Sequence, residues 1–253
     1  MNYTIITGSS RGLGQAIATR LLTKEAQTLI CISRNENEEI KQAAEQHNIG
    51  YHFYSVDLSN VSALPALMDK IFSTIELGEA KQIHLINNAG LLAPARPLER
   101  VESEELQKNV NVNLAAPMLL TAEFLKHTAN SPADKRIINV SSGAGQRPIY
   151  GWSCYGAAKA GLDLFSRNVA VEQAEAAHPA KICSFGPGIM DTAMQGEIRS
   201  IDKNDFIHVD TFRRYKEEGK LLAPDQVAKV IVDLLESNDF PDGQVTDVSK
   251  YLS

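Results

Sequence analysis

Residues 3–22 constrain what this chain can fold into more than any other stretch. Tyr3-Thr-Ile-Ile-Thr7 is a short β-rich run with little polarity, the pattern of a parallel strand covered on both faces. It leads directly into Gly8, Ser9, Ser10, Arg11, Gly12, Leu13 and Gly14, and residues 15–22 follow with helical periodicity. A strand, a glycine-rich turn and a helix in that order make a phosphate site. The glycines let the backbone approach a pyrophosphate, and the helix N-terminus offers free N–H groups and the positive end of its dipole. The spacing is G-x-x-x-G-x-G and not the commoner G-x-G-x-x-G, so a plain glycine turn is the alternative. The flanking strand and helix argue against it.

The rest of the chain repeats this alternation. Further strands are expected at 28–33, 51–56, 81–87, 136–141 and 181–185, with an edge strand at 244–248. Helices are expected at 36–47, 62–75, 103–128 (interrupted near Asn111-Val-Asn113), 154–173 and from Ala223 onward. Regular β/α order without repeats or linkers predicts one α/β domain over residues 1–253. Its architecture is a Rossmann-like, doubly wound parallel sheet with helices on both faces. Residues 193–220 are polar and weakly patterned, and they follow the sixth strand, where such a fold carries a substrate lid. A solvated helical excursion there is compatible with that reading.

Composition removes several classes. A net charge of −6 with no long basic run argues against a nucleic-acid platform. No stretch reaches the roughly 18 apolar residues of a membrane span, and the first residues lack the pattern of a signal peptide. Cys31, Cys154 and Cys183 lie far apart in apolar surroundings, as reduced thiols of a cytoplasmic protein do. The six histidines show no ligand spacing, so no metal is expected.

At the end of the second strand, a NAD-binding protein carries an acidic residue for the adenosine ribose. Here the residues are Ser33 and Arg34, and Arg11 adds a second cation from the glycine turn. Two arginines and no carboxylate suit a 2′-phosphate, which selects NADP(H) over NAD(H). Asp57 and Leu58 end the third strand, where an adenine edge is contacted. Asn87, Asn88, Ala89 and Gly90 end the fourth, where small residues and amides suit a ribose.

Tyr155 and Lys159 are four apart in a helical stretch, so their side chains share one face. The ammonium favours phenolate over phenol and is expected to lower the tyrosine pKa, making a general acid. Ser142 lies thirteen residues earlier, at the carboxyl end of a strand. Taken alone, the pair reads equally as a surface tyrosine–lysine contact. Asn113 is a polar residue among apolar neighbours. It either hydrogen-bonds within the core or bends the helix and holds a water.

With these residues in view, the chain resembles a short-chain dehydrogenase/reductase nearly end to end. The motifs are Thr7-Gly-Ser-Ser-Arg-Gly-Leu-Gly14, Asn87-Asn-Ala-Gly90, Asn113, Ser142, Tyr155, Lys159 and Pro187-Gly-Ile-Met-Asp-Thr192. Within that family it looks like the sepiapterin reductase branch and the bacterial benzil reductases related to it. Tyr150-Gly-Trp-Ser-Cys-Tyr155, residues 187–194, Gly219-Lys-Leu221 and the ending 234–247 carry this closer likeness. The resemblance implies NADPH-dependent hydride transfer to one carbonyl of a vicinal diketone of the benzil type. A pterin side-chain reductase is the alternative, and an NADPH sensor without turnover a more distant one. Implied catalytic residues are Ser142, Tyr155, Lys159 and Asn113, the last holding a water in a proton relay. Pro187, Gly188, Ile189 and Thr192 are implied at the cofactor carboxamide, with Tyr155 and Lys159 at its ribose. Ser142, Trp152, Tyr155, Met194 and Asp247 are implied at the substrate. Relatives form homodimers or homotetramers through the helices at 103–128 and 155–173, so a homo-oligomer is expected.

Overall fold

The computed structural model describes residues 1–252. Its frame is a seven-stranded, wholly parallel sheet in the order β3-β2-β1-β4-β5-β6-β7. The strands are β1 (Asn2–Thr7), β2 (Gln27–Ser33), β3 (Gly50–Ser55), β4 (Gln82–Asn87), β5 (Asp134–Val140), β6 (Lys181–Gly186) and β7 (Val245–Asp247).

Helices cover both faces, and residue alternation along each strand says which side chain goes where. Ile6, Leu29, Cys31, Ile86, Ile138 and Cys183 form one core with α1 (Gly12–Leu21), α2 (Glu38–Gln46) and α9 (Pro224–Glu236). Their strand neighbours Ile5, Ile30, Ile32, Leu85, Ile137 and Ile182 form the other, under α3 (Leu64–Phe72), α5 (Ala116–Thr128) and α6 (Ser153–Gln173). Burial on both faces is why these strands read as unbroken apolar runs.

One difference from the sequence reading and one interruption that it expected bear on the site. Helix α1 starts at Gly12, three residues before the expected Gln15, because the last glycines of the turn join its first helical turn. The long 103–128 helix is three pieces: α4 (Ser103–Val110), a π-turn at Asn111–Ala115, and α5. The π-turn widens the helix where Asn113 sits, a feature that recurs at functional sites. Residues 193–220 fold as α7 (Ala193–Ser200) and α8 (Val209–Glu217). Among the described residues, no helix is long and apolar enough to cross a membrane.

Candidate active site

Strand order reverses between β1 and β4, and a crevice opens at their carboxyl ends. Thr7 locks its two sides together. Its Oγ1 accepts from the backbone N–H groups of Asn88 and Ala89, each at 3.0 Å. The Asn88 amide donates back to the carbonyls of Thr7 at 2.9 Å and Gly8 at 3.2 Å. The glycine turn fits against this clamp with no room for side chains. A Cβ on Gly8 would lie 2.9 Å from the Ala89 Cα, and one on Gly14 would overlap the Gly8 carbonyl. Such bare backbone before a helix N-terminus is what a pyrophosphate needs, so the residues present fit a dinucleotide.

A cavity of about 390 Å³ runs along the crevice. Gly8, Ser10, Arg11, Gly12, Leu13 and Gly14 line it, as do Ser33, Arg34, Asp57 and Leu58 from the ends of β2 and β3. Asn88, Ala89, Gly90, Tyr155, Lys159, Pro187 and Thr192 complete the expected set found there. Four residues expected at the cofactor lie outside this lining. Ser9 is buried. Asn87 turns into the sheet, donating to Asn139 Oδ1 at 2.8 Å and Thr121 Oγ1 at 3.2 Å. Gly188 packs near Leu222 and Val248, and the Ile189 carbonyl accepts from the Leu222 N–H at 2.9 Å.

Near the ends of β2 and β3, Arg34 makes no ion pair among the described residues, whereas Arg11 faces Glu197 of α7 at 3.7 Å. Lys108 of α4 also lines the cavity. Asp57 nearby is held below the usual carboxylate range, first by hydrogen bonds from Ser59 and then by the charges of Lys108 and Arg34.

Tyr155 and Lys159 lie on one face of α6, both buried. The Lys159 Nζ sits 5.7 Å from the phenol ring centroid and donates to the Val140 carbonyl at 2.9 Å. Burial lowers the Lys159 pKa to about 8, opposed by Asp163. The expected fall in the Tyr155 pKa is not found. Burial raises it, and only the Ser142 side chain acts the other way. Withdrawing the phenolate from water outweighs an ammonium that is engaged with Val140. Ser142 follows β5, and its Oγ also accepts from the Ala144 N–H at 3.2 Å.

Asn113 is fully buried, and its amide is occupied by backbone. Its Oδ1 accepts from the Leu91 N–H at 3.0 Å, while Nδ2 donates to the carbonyls of Leu91 at 2.6 Å and Asn109 at 3.0 Å. It therefore anchors the loop after Gly90. A Cβ on Gly90 would meet Asn113 Oδ1 at 3.4 Å, Lys159 Nζ at 3.9 Å and Met194 Cε at 4.0 Å, which places all three around one point.

Of the residues expected at the substrate, Tyr155 and Met194 line the cavity. Trp152 stands edge-on to Tyr155 at 5.8 Å and stacks on Phe206 at 5.3 Å, with Phe212 at 5.7 Å. These rings, with Leu92, Ile198 and Met194, form a third apolar cluster that joins Tyr155 to the 193–220 segment. Asp247 lies outside the cavity lining. Its Oδ1 accepts from the Ser249 N–H at 2.9 Å, and its other oxygen sits against Gly186.

Sequence reasoning missed three polar cavity residues, Lys108, Glu197 and Ser141, besides apolar ones such as Leu92 and Val112. The first two are exposed helix positions with no distinguishing pattern. The signal for Ser141 was its place beside Ser142. Away from the crevice, Asp69, Glu123 and His127 bring ligand atoms within 4.8 Å of one another. A His127–Asp69 hydrogen bond at 3.0 Å and a Lys126–Glu123 ion pair at 3.3 Å account for that grouping.

A place for a dinucleotide beside a buried acid is the working arrangement of a nicotinamide-dependent oxidoreductase. The chain belongs to the short-chain dehydrogenase family, whose model matches residues 2–203. It is 50% identical over 250 residues to a benzil reductase ((S)-benzoin forming) of Bacillus cereus, covering 99% of this chain and 100% of that one. It is 29% identical over 255 residues to the sepiapterin reductase of Xenopus laevis, covering 96% and 94%. Among solved structures it resembles levodione reductase, with a TM-score of 0.81 and 25% identity over 98% of this chain and 95% of that one.

Proposed function

We propose that this chain is an NADPH-dependent reductase of one carbonyl of a vicinal diketone, converting a benzil-type substrate to an (S)-benzoin-type hydroxyketone. The observation that carries the chemistry is the buried Tyr155–Lys159 pair at the cavity, with half-buried Ser142 hydrogen-bonded to the phenol from outside the lining; the 50% identity to the Bacillus cereus enzyme supports the substrate. When bound, the cofactor supplies the hydride. The backbone of residues 8–14 holds the pyrophosphate, and Arg34, free of a carboxylate partner among the described residues, holds the 2′-phosphate. Lys159 and Tyr155 bind ribose hydroxyls, and Thr192 orients the carboxamide.

Tyr155 gives its phenol proton to the developing alkoxide. Its raised pKa keeps that proton in place until the oxygen becomes basic. Ser142 donates to the same oxygen, a contact that strengthens as negative charge develops. Lys159, fixed at Val140, supports the phenolate that remains and passes a proton back to it, with the widened turn at Asn113 as the route to water. The cluster of Trp152, Phe206 and Phe212 receives an aromatic substituent, and the 193–220 segment covers it. Exposed Met118 on α5 and Leu164 and Val171 on α6 support self-association as a homodimer or homotetramer. Three unbridged, buried cysteines suit a cytoplasmic setting.

The pterin reading needs Asp247 at the substrate, and this carboxylate is occupied at Ser249. NADPH oxidation with benzil and with sepiapterin, measured side by side, tests the proposal. Turnover of sepiapterin without benzil reverses the substrate assignment, and NADPH binding without any turnover indicates a sensor.

A further inference from the structure

Three consecutive residues at the end of β5 do three different things. The Val140 carbonyl holds Lys159. Ser142 acts on the Tyr155 phenol and accepts from Ala144. Ser141, between them, lines the large cavity. It is 3% exposed, and its Oγ finds no hydrogen-bond partner among the described residues. Its backbone N–H is already used, donating to the Phe185 carbonyl at 2.8 Å.

A buried hydroxyl without a partner is costly, and native structures leave few of them. In extended backbone, successive side chains point to opposite sides. Ser142 is turned to the phenol and to the Ala144 turn, so Ser141 is turned away from them. The cavity that Ser141 lines also takes in Val140, Tyr155, Lys159, Pro187 and Thr192. The aromatic cluster proposed to receive the substrate takes in Tyr155, Ala144 and Trp152, and Ser141 is not part of it.

We propose that Ser141 Oγ is a hydrogen-bond partner for the nicotinamide-ribose half of the cofactor. This rests on the reading of the cavity as a dinucleotide site. The two serines then divide the work: Ser142 serves the reacting oxygen and Ser141 positions the cofactor.

The test is binding, read by fluorescence titration of the wild type and of Ser141→Ala, with NADPH and with adenosine 2′,5′-bisphosphate, which lacks the nicotinamide ribose. Loss of one neutral hydrogen bond weakens NADPH binding about threefold to tenfold. The bisphosphate affinity stays unchanged, and the melting temperature of the ligand-free variant does not fall, because the deleted hydroxyl is buried without a partner within the chain. Ser142→Ala shows the opposite split, with kcat reduced and NADPH affinity kept. Unchanged NADPH affinity in Ser141→Ala overturns the proposal. So does equal weakening of both ligands, which marks a structural role. Failure of the wild type to bind NADPH overturns the dinucleotide reading itself.

Discussion

The Lys159 ammonium donates to the Val140 carbonyl at 2.9 Å, tying the cation beside Tyr155 to the end of β5. That contact leaves the charge buried, and burial lowers its pKa from 10.5 to about 8. Between those values the unfolded chain holds the proton and the folded chain does not, so wild-type stability rises with pH across that window. Below it both states are protonated and the full cost of burying the charge stands. Lys159→Met lacks this dependence. Its stability relative to wild type therefore declines from neutral pH to pH ~10.5, by on the order of 2–3 kcal/mol. Thermal melts at both ends check this, and a pH-independent difference refutes it.

Tyr155→Phe keeps the ring against Trp152 and removes the proton. Turnover is expected to fall by about 10²–10⁴-fold, with NADPH affinity preserved. Because burial raises the Tyr155 pKa, kcat/KM for reduction shows no tyrosine-derived loss below about pH 10. Near-wild-type turnover in the variant, or a tyrosine limb at neutral pH, contradicts the assignment.

Arg34→Asp puts a carboxylate where the cavity now has a cation without an ion-pair partner among the described residues. The ratio of kcat/KM for NADPH over NADH should fall by about 10²-fold or more, since an attraction becomes a repulsion. An unchanged ratio removes the phosphate argument. Arg11→Ala should matter less, because its guanidinium is shared with Glu197.

His84 on β4 is fully buried, and burial lowers its pKa from 6.5 to about 4. Its folded pKa lies below the unfolded one, so its contribution is intact above pH 6.5 and is lost as pH falls through that window toward 4. The loss is on the order of 2–3 kcal/mol. Denaturant melts at neutral and mildly acidic pH should show this decline, and His84→Leu should flatten it. An equal slope in the variant places the acid sensitivity elsewhere.

Much of the fold was legible because a doubly wound sheet buries its strands on both faces. The runs ending at Thr7, Ser33 and Asn87 therefore announce themselves without alternation. The glycine turn was legible as a close backbone approach because positions 8 and 14 leave no room for a Cβ. What escaped depends on direction within an element. Which of Ser141 and Ser142 faces the cavity is set by where β5 leaves the sheet, and no composition signal records it. Asn87 and Asp247 are polar residues at strand ends, as site residues are, but neighbouring Asn139 and Ser249 take their hydrogen bonds. The direction of the Tyr155 pKa shift required knowing how deeply α6 is covered.

The run Val140-Ser141-Ser142 also limits how this chain can change length. Each of the three residues owes its task to the side it faces. A single insertion or deletion between Asp134 and Ser142 would reverse the alternation, trading the cavity-facing hydroxyl for the one turned to Tyr155. The 193–220 segment carries no such parity. A change of length there leaves both serines on the sides they now face, whereas one residue gained or lost in β5 exchanges them.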